Sequence, residues 1–163
     1  MFKRKITQEG LAISVMEFIR RARFSETVYK ILPEGTSINI INKFIRAEFY
    51  LVIYSSLIYF PNAQNLLSLL LELLYDYYFK NQFDEYDKFV KYFKGDYMKF
   101  FEMINFGEKT GNGMLYGVSK WIYDEKEGTD LLGQLKIVPF LFEIYKSISE
   151  LNKKYSARTK IIN

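Results

Sequence analysis

Apolar residues recur three or four positions apart along most of the chain, which is the spacing of helices that bury one face. The first such run follows Thr7, a residue type that caps helix N-termini, and is predicted to be a helix with a polar opposite face. Its apolar positions are Leu11, Val15, Phe18, Ile19 and Ala22, and its polar positions are Ser14, Glu17 and Arg21.

Turn-forming residues divide the next part of the chain into two further predicted helices. A Pro-Glu-Gly turn at 33–35 is followed by Ser37, which is predicted to cap a second helix that reaches Phe60. Pro61 ends that helix, because proline cannot continue the backbone hydrogen-bond pattern, and Asn62 is predicted to cap a third. The third helix is expected to be mostly buried and to expose one stripe, made of Asn65, Ser68, Glu72, Asp76 and Lys80.

The remaining predicted helices are separated by glycines and by a short charged segment. Two short amphipathic helices are predicted at 84–95 and 96–107, each ended by a glycine. A helix at 114–123 follows, and then a terminal helical region at 130–155. Pro139 is expected to kink this last region or to start a new helix within it.

The order and length of these elements predict one all-α domain. The chain has 163 residues, a usual length for a single domain with its own core. Its sequence contains no internal repeat and no long polar linker. We therefore expect residues 1–163 to form a single-domain irregular helical bundle of about five to seven helices joined by short loops.

A heptad pattern runs along the last predicted helix. Six residues, which we call the C-terminal seam, are spaced alternately four and three positions apart: Ile137, Leu141, Ile144, Ile148, Leu151 and Tyr155. The spacing has two interpretations, because the seam can pack against helices of its own domain or form the contact of a homodimer.

The residue types that are missing restrict the chemistry. The chain has no cysteine and no histidine. This excludes disulfides, thiolate nucleophiles, imidazole general bases and the zinc sites that these residues form. The remaining residues show no motif for catalysis, for a metal or for another cofactor. The sequence therefore favours a non-enzymatic protein without a cofactor or a metal.

Positive charge is concentrated near the N-terminus. Residues 1–46 contain nine basic and four acidic residues, whereas residues 47–107 contain five and eight. A basic cluster attracts a polyanion whatever its sequence, so nucleic-acid binding is predicted as an alternative function. Glu17 competes for the arginines one helical turn later. The candidate residues are Lys3, Arg4, Lys5, Arg20, Arg21 and Arg23.

A glycine-rich stretch at 111–117 superficially resembles a dinucleotide-binding loop. Such a loop connects a strand to a helix in a parallel sheet, and here helical sequence precedes it, so a plain connection is the better interpretation. A bound anion at the N-terminus of the following helix is the alternative.

Glu48 lies on the apolar face of the second predicted helix, near Ile45 and Val52. A carboxylate in such a place needs a partner. One interpretation is a structural ion pair with Arg20 or Arg23. The other is a pocket carboxylate with a perturbed pKa that acts as an acid, a base or a ligand contact.

The aromatic runs at 75–79 and 97–101 also have two interpretations. Rings at helical spacing in a small bundle mostly fill the core, which is the interpretation we favour. An exposed cluster would instead indicate recognition of a ligand or of single-stranded nucleic acid. Trp121 is expected to be partly buried.

The location and function that we expect follow from these features. The N-terminal residues lack the uninterrupted apolar run of a signal peptide, and Pro61 and Asn62 interrupt the longest uncharged stretch, so we expect a cytoplasmic protein without a membrane span. The expected function is a non-enzymatic protein-interaction module whose partner is another protein or a second copy of the chain. Nucleic-acid binding is the alternative, and an unrecognised enzyme or a carrier of an apolar ligand is third.

Overall fold

The computed structural model describes residues 3–22, 30–32, 34–123 and 131–162. These residues form six α-helices, one π-helical segment and two short strands, which confirms the predicted all-α class. In chain order the elements are β1 (Arg4–Thr7), α1 (Gln8–Ala22), α2 (Ile38–Tyr59), α3 (Leu66–Leu74), the π-helical segment (Tyr75–Phe79), α4 (Tyr86–Lys109), α5 (Met114–Tyr123), α6 (Leu131–Arg158) and β2 (Thr159–Ile162).

Two of the three predicted N-caps are confirmed. The Thr7 Oγ1 atom accepts a hydrogen bond from the Gly10 backbone N–H at 3.1 Å, and the Ser37 Oγ atom accepts one from the Ile40 N–H at 3.4 Å. The predicted cap at Asn62 is wrong, because backbone turns that follow Pro61 delay the start of α3 to Leu66.

The predicted break at Gly95 is also wrong, since α4 runs through it as one helix of 24 residues. A glycine inside a helix costs only about 1 kcal/mol relative to alanine. Phe93 and Phe100, which lie on either side of Gly95, are both buried. Burying a phenylalanine side chain contributes roughly 1.5–3 kcal/mol, so the packing of these two rings outweighs the glycine.

Strands β1 and β2 were not predicted. They form a parallel pair in which Arg4 lies opposite Thr159, Lys5 opposite Lys160, and Ile6 opposite Ile161. Ile6 and Ile161 are half-buried while Lys5 and Lys160 are exposed, so the pair has one inward and one outward face. Four-residue strands show too little alternation to be recognised in a sequence.

Contacts divide the chain into two compact units. The first, which we call the end-joined unit, comprises Met1–Ala22, Leu51–Lys94 and Lys146–Asn163. The second, the helix-turn unit, comprises Arg23–Tyr50 and Gly95–Tyr145. Helices α2, α4 and α6 contribute residues to both units. The expectation of a single domain stays a prediction.

In the end-joined unit, α1 packs along α3. The Gln8 side-chain carbonyl accepts a hydrogen bond from the Asn65 N–H at 2.8 Å, which holds the start of α1 against the start of α3. The rings of Tyr75 and Phe79 pack on the buried Phe89, with centroids 5.5 and 5.1 Å away. The five residues of the predicted polar stripe are all exposed, but only Ser68 and Glu72 lie in α3, which ends at Leu74.

In the helix-turn unit, α4 and α5 approach closely because two glycines lie where they meet. A Cβ atom on Gly117 would fall 1.8 Å from the Met103 carbonyl oxygen, and one on Gly107 would fall 2.3 Å from the Gly113 carbonyl oxygen. Beside this crossing Trp121 is buried, with its ring 5.5 Å from that of Phe100. Within the described ranges, no helix combines the length and the apolar character that a membrane crossing requires.

Candidate nucleic-acid interface

The register of the two strands brings basic residues from opposite ends of the chain together. Lys5 and Lys160 are register partners, so they lie side by side on the outward face of two strands that run about 4.8 Å apart. Lys3 precedes β1 by one residue, and Arg158 ends α6 next to β2. We call the following six exposed residues the basic strand surface: Lys3, Arg4, Lys5, Lys154, Arg158 and Lys160.

These six side chains make no ion pair with any residue that the structure describes. Other basic side chains of the chain do have acidic partners: Arg21 lies 3.0 Å from Glu17, and Lys88 lies 2.9 Å from Asp84. Like charges on neighbouring strands are destabilising. The pairing of β1 with β2 therefore holds positive charges together without neutralising them.

A cleft of about 400 Å³ opens beside this surface. Lys3 and Lys160 line it together with Tyr59, Asn62 and Ser156. Tyr59 is half-buried and forms part of the wall of the cleft, whereas Asn62 is exposed. The cleft thus combines cations, hydrogen-bonding groups and the aromatic residues Tyr59 and Phe60, which is a combination suited to a nucleotide.

The structure separates the basic residues that the sequence grouped together. Lys3, Arg4 and Lys5 belong to the basic strand surface, but Arg20 and Arg21 end α1, about 20 Å further along the helix axis. Arg21 pairs with Glu17, as the sequence suggested, and the Arg20 guanidinium lies 4.9 Å from the centre of the Tyr77 ring. Arg23 lies outside the described residues.

Three residues of the surface were missed by sequence reasoning: Lys154, Arg158 and Lys160. Their signal was present, because basic residues recur over the last dozen positions of the chain. That signal could not be joined to the N-terminal basic triplet without knowing that the two ends pair as strands.

Glu48 is completely buried, and neither carboxylate oxygen has a hydrogen-bond partner among the described residues. Burial raises the pKa of this carboxyl from 4.5 to about 8, because the apolar surroundings disfavour the charged form. At neutral pH the group is therefore mostly protonated. The predicted ion pair with Arg20 is wrong, because neither Glu48 oxygen has a partner in the described part of the chain and the Arg20 guanidinium lies over the Tyr77 ring. The other predicted partner, Arg23, lies outside the described residues, and the role of a pocket carboxylate stays a prediction.

Most of the C-terminal seam is buried or half-buried within the protein. Ile137, Leu141 and Ile148 are buried, and Leu151 is exposed. Ile144 and Tyr155 are half-buried. This is the arrangement expected when a seam packs on helices of its own domain. A homodimer contact through these residues stays a prediction.

The glycine-rich stretch is a connection between α4 and α5. Gly111 and Gly113 have positive φ angles of 73° and 86°, which favour glycine at both turn positions. The Glu108 Oε1 atom accepts a hydrogen bond from the Met114 N–H at 3.0 Å. A side chain of the protein therefore occupies the helix N-terminus at which we considered a bound anion.

The aromatic runs divide between the core and the surface. Phe100 is fully buried, as we favoured, whereas Tyr77 and Tyr78 are exposed. Among the residues that the structure describes, no group of three or more acidic side chains is arranged to hold a metal ion. No protein family, curated protein or solved structure matches this chain. Its function has to be inferred from its own residues.

Proposed function

We propose that this chain binds nucleic acid by the phosphate backbone, through the basic strand surface. The observation that carries the proposal is the side-by-side placement of Lys5 and Lys160 on the outward face of the strand pair, with Lys3 and Arg158 next to the strands and no acidic partner among the described residues. A polyanion would neutralise this group of charges and release its own counterions.

A nucleic acid fits these observations better than an acidic protein does. Lys5 and Lys160 lie on two neighbouring strands and Arg158 ends the helix that leads into β2, so the charges are spread over a surface rather than gathered around a single point. The neighbouring cleft adds the Tyr59 ring and the Asn62 amide, which can contact a base as well as a phosphate. Since the described residues of this surface are cations, which contact phosphates of any sequence, binding should depend little on base sequence.

Fluorescence anisotropy with labelled single- and double-stranded oligonucleotides tests the proposal. We compare the wild type with a triple variant, Lys3→Gln, Lys5→Gln and Lys160→Gln, which removes three charges of the surface. The affinity of the triple variant should fall about tenfold or more at low salt, because each lost phosphate contact weakens binding.

A matched control removes three charges elsewhere. Lys91, Lys94 and Lys99 are exposed on α4, and their replacement by glutamine changes the net charge equally. This control should bind nearly as the wild type does. Equal losses in the two triple variants would mean that only net charge matters, and the basic strand surface would be the wrong site.

A second candidate function is self-association through another face of α6. Leu135, Val138, Pro139 and Phe142 follow helical spacing, and Leu135 and Phe142 are 54% and 51% exposed. Lys136 and Glu143 lie on one flank of this face, seven residues apart. In an antiparallel pair of copies, Lys136 would lie opposite Glu143 of the partner subunit, and the reverse contact would form by symmetry.

Light scattering after size-exclusion chromatography tests this second candidate. The wild type should show the mass of a dimer, and Phe142→Glu should show that of a monomer, because a charge replaces the aromatic ring of the apolar face. Tyr92→Glu replaces an exposed ring on α4 and should leave the dimer intact. A wild-type protein that stays monomeric at high concentration would rule out self-association as a function.

A further inference from the structure

A small apolar cavity lies in the end-joined unit. Its volume is about 150 Å³. Engineered cavities of that size, when apolar, bind a molecule such as benzene. The apolar walls come from three helices, and their side chains are Leu11, Val15, Phe18, Val52, Ile148 and Leu151. Leu151 is exposed, which gives the cavity a mouth toward solvent.

One wall of this cavity carries a buried polar side chain, Asn152, which is only 7% exposed. The Asn152 Nδ2 atom donates hydrogen bonds to Ser55 Oγ at 3.0 Å and to Ser56 Oγ at 3.3 Å. Both amide hydrogens are therefore used by the two serines.

The serines also fix which way the amide points. Ser56 donates its own proton to the Val52 carbonyl oxygen at 2.8 Å, so its hydroxyl must accept from Asn152 rather than donate to it. The amide nitrogen must then face the serines. The Asn152 Oδ1 atom, on the opposite branch, receives no hydrogen bond from any residue that the structure describes.

The Asn152 Oδ1 atom is not fully buried, and Asn152 lines the cavity, so a bound molecule can reach this free acceptor. A ligand that donates one hydrogen bond to it would also fill the apolar space. We propose that the cavity is a binding site for a small, mostly apolar molecule that carries one hydroxyl group, and that Asn152 Oδ1 accepts the hydrogen bond of that hydroxyl. This proposal is independent of nucleic-acid binding.

Calorimetric titration of the full chain with two probes of similar shape, p-cresol and toluene, tests the proposal. Only p-cresol carries a hydroxyl group. It should bind the wild type about threefold to tenfold more tightly than toluene, because one hydrogen bond is worth roughly 0.5–1.5 kcal/mol. Equal affinities, or no binding of either probe, would overturn the proposal.

Two variants locate the site. Ser14 is an exposed residue at the cavity, and Ser14→Phe should weaken both probes by obstructing the mouth. Asn152→Leu keeps an apolar wall but removes the acceptor, so p-cresol and toluene should then bind equally. If Asn152→Leu does not fold, the probe comparison on the wild type and on Ser14→Phe still decides. Unchanged binding in Ser14→Phe would place the ligand elsewhere and contradict the proposal.

Discussion

The two compact units contain charged groups that differ in whether they have partners within the protein. In the end-joined unit, the six cations of the basic strand surface have no acidic partner among the described residues. In the helix-turn unit, the Asp96 carboxylate accepts a hydrogen bond from the Tyr50 hydroxyl at 2.7 Å and lies 3.0 Å from the Arg46 Nε atom. Glu108 likewise caps α5. These contacts of Asp96 and Glu108 hold elements of the fold together, whereas the cations of the basic strand surface are available to a ligand.

This difference makes opposite predictions for substitutions in the two units. Substitutions that break a polar contact or a close helix approach in the helix-turn unit should reduce stability, whereas substitutions on the basic strand surface should have little effect on stability and should weaken ligand binding. A substitution on the basic strand surface that unfolds the protein would contradict this difference between the units.

The largest effect is expected at Gly117. A Gly117→Ala side chain cannot fit 1.8 Å from the Met103 carbonyl oxygen, so α4 and α5 must separate. We expect a loss of about 3 kcal/mol or more in the free energy of unfolding, measured by urea denaturation. Gly95→Ala is the control: it lies inside α4 with no atom near its new Cβ, and should stabilise by about 0.5–1 kcal/mol. A Gly117→Ala variant as stable as the wild type would show that α4 and α5 do not approach each other this closely.

The second expected effect is a pH-dependent change in the free energy of unfolding that is caused by Glu48. Its pKa is about 8 in the folded protein and 4.5 as a free side chain. Below pH 4.5 the group is protonated in both states and makes no contribution to the pH dependence of stability. Between these values the unfolded chain loses the proton while the folded protein keeps it, so stability should fall by about 1.4 kcal/mol per pH unit. Above pH 8 the loss is constant.

Glu48→Gln should abolish this contribution to the pH dependence, since glutamine does not titrate. The variant should therefore gain stability relative to the wild type as pH rises from 5 to 8, as urea denaturation at each pH will show. Glu72→Gln, an exposed change on α3, should keep the slope of the wild type. Parallel curves for the wild type and Glu48→Gln would contradict the raised pKa.

A smaller effect is expected at Asp96. Asp96→Asn removes the charge that faces Arg46 and weakens the acceptor of the Tyr50 hydroxyl. The cost should be about 1–3 kcal/mol, because both partners are partly or fully buried. Tyr50→Phe removes only one hydrogen bond and should cost less in the same denaturation assay. An Asp96→Asn protein as stable as the wild type would show that this network contributes nothing to the fold.

The local features of the fold were predictable from the sequence, and the features that depend on distant contacts were not. Thr7 and Ser37 cap helices because an N-cap needs only its own neighbours. Gly95 was misread because the packing of rings on either side decides whether a helix continues. Half of the basic strand surface was missed for the same reason, since Lys160 reaches Lys5 only through a strand pair that joins the chain ends.

Substitution of the lysines of the basic strand surface should have the smallest effect on stability. It is also the most direct test of nucleic-acid binding. We would measure the affinity for an oligonucleotide at several salt concentrations, for the wild type and for the Lys3, Lys5 and Lys160 triple variant. The triple variant should keep the stability of the wild type, and its slope of log affinity against log salt should be lower by about two to three, since each lost phosphate contact lowers it by about 0.7–0.9. An unchanged slope and affinity would contradict the proposal that these residues bind nucleic acid.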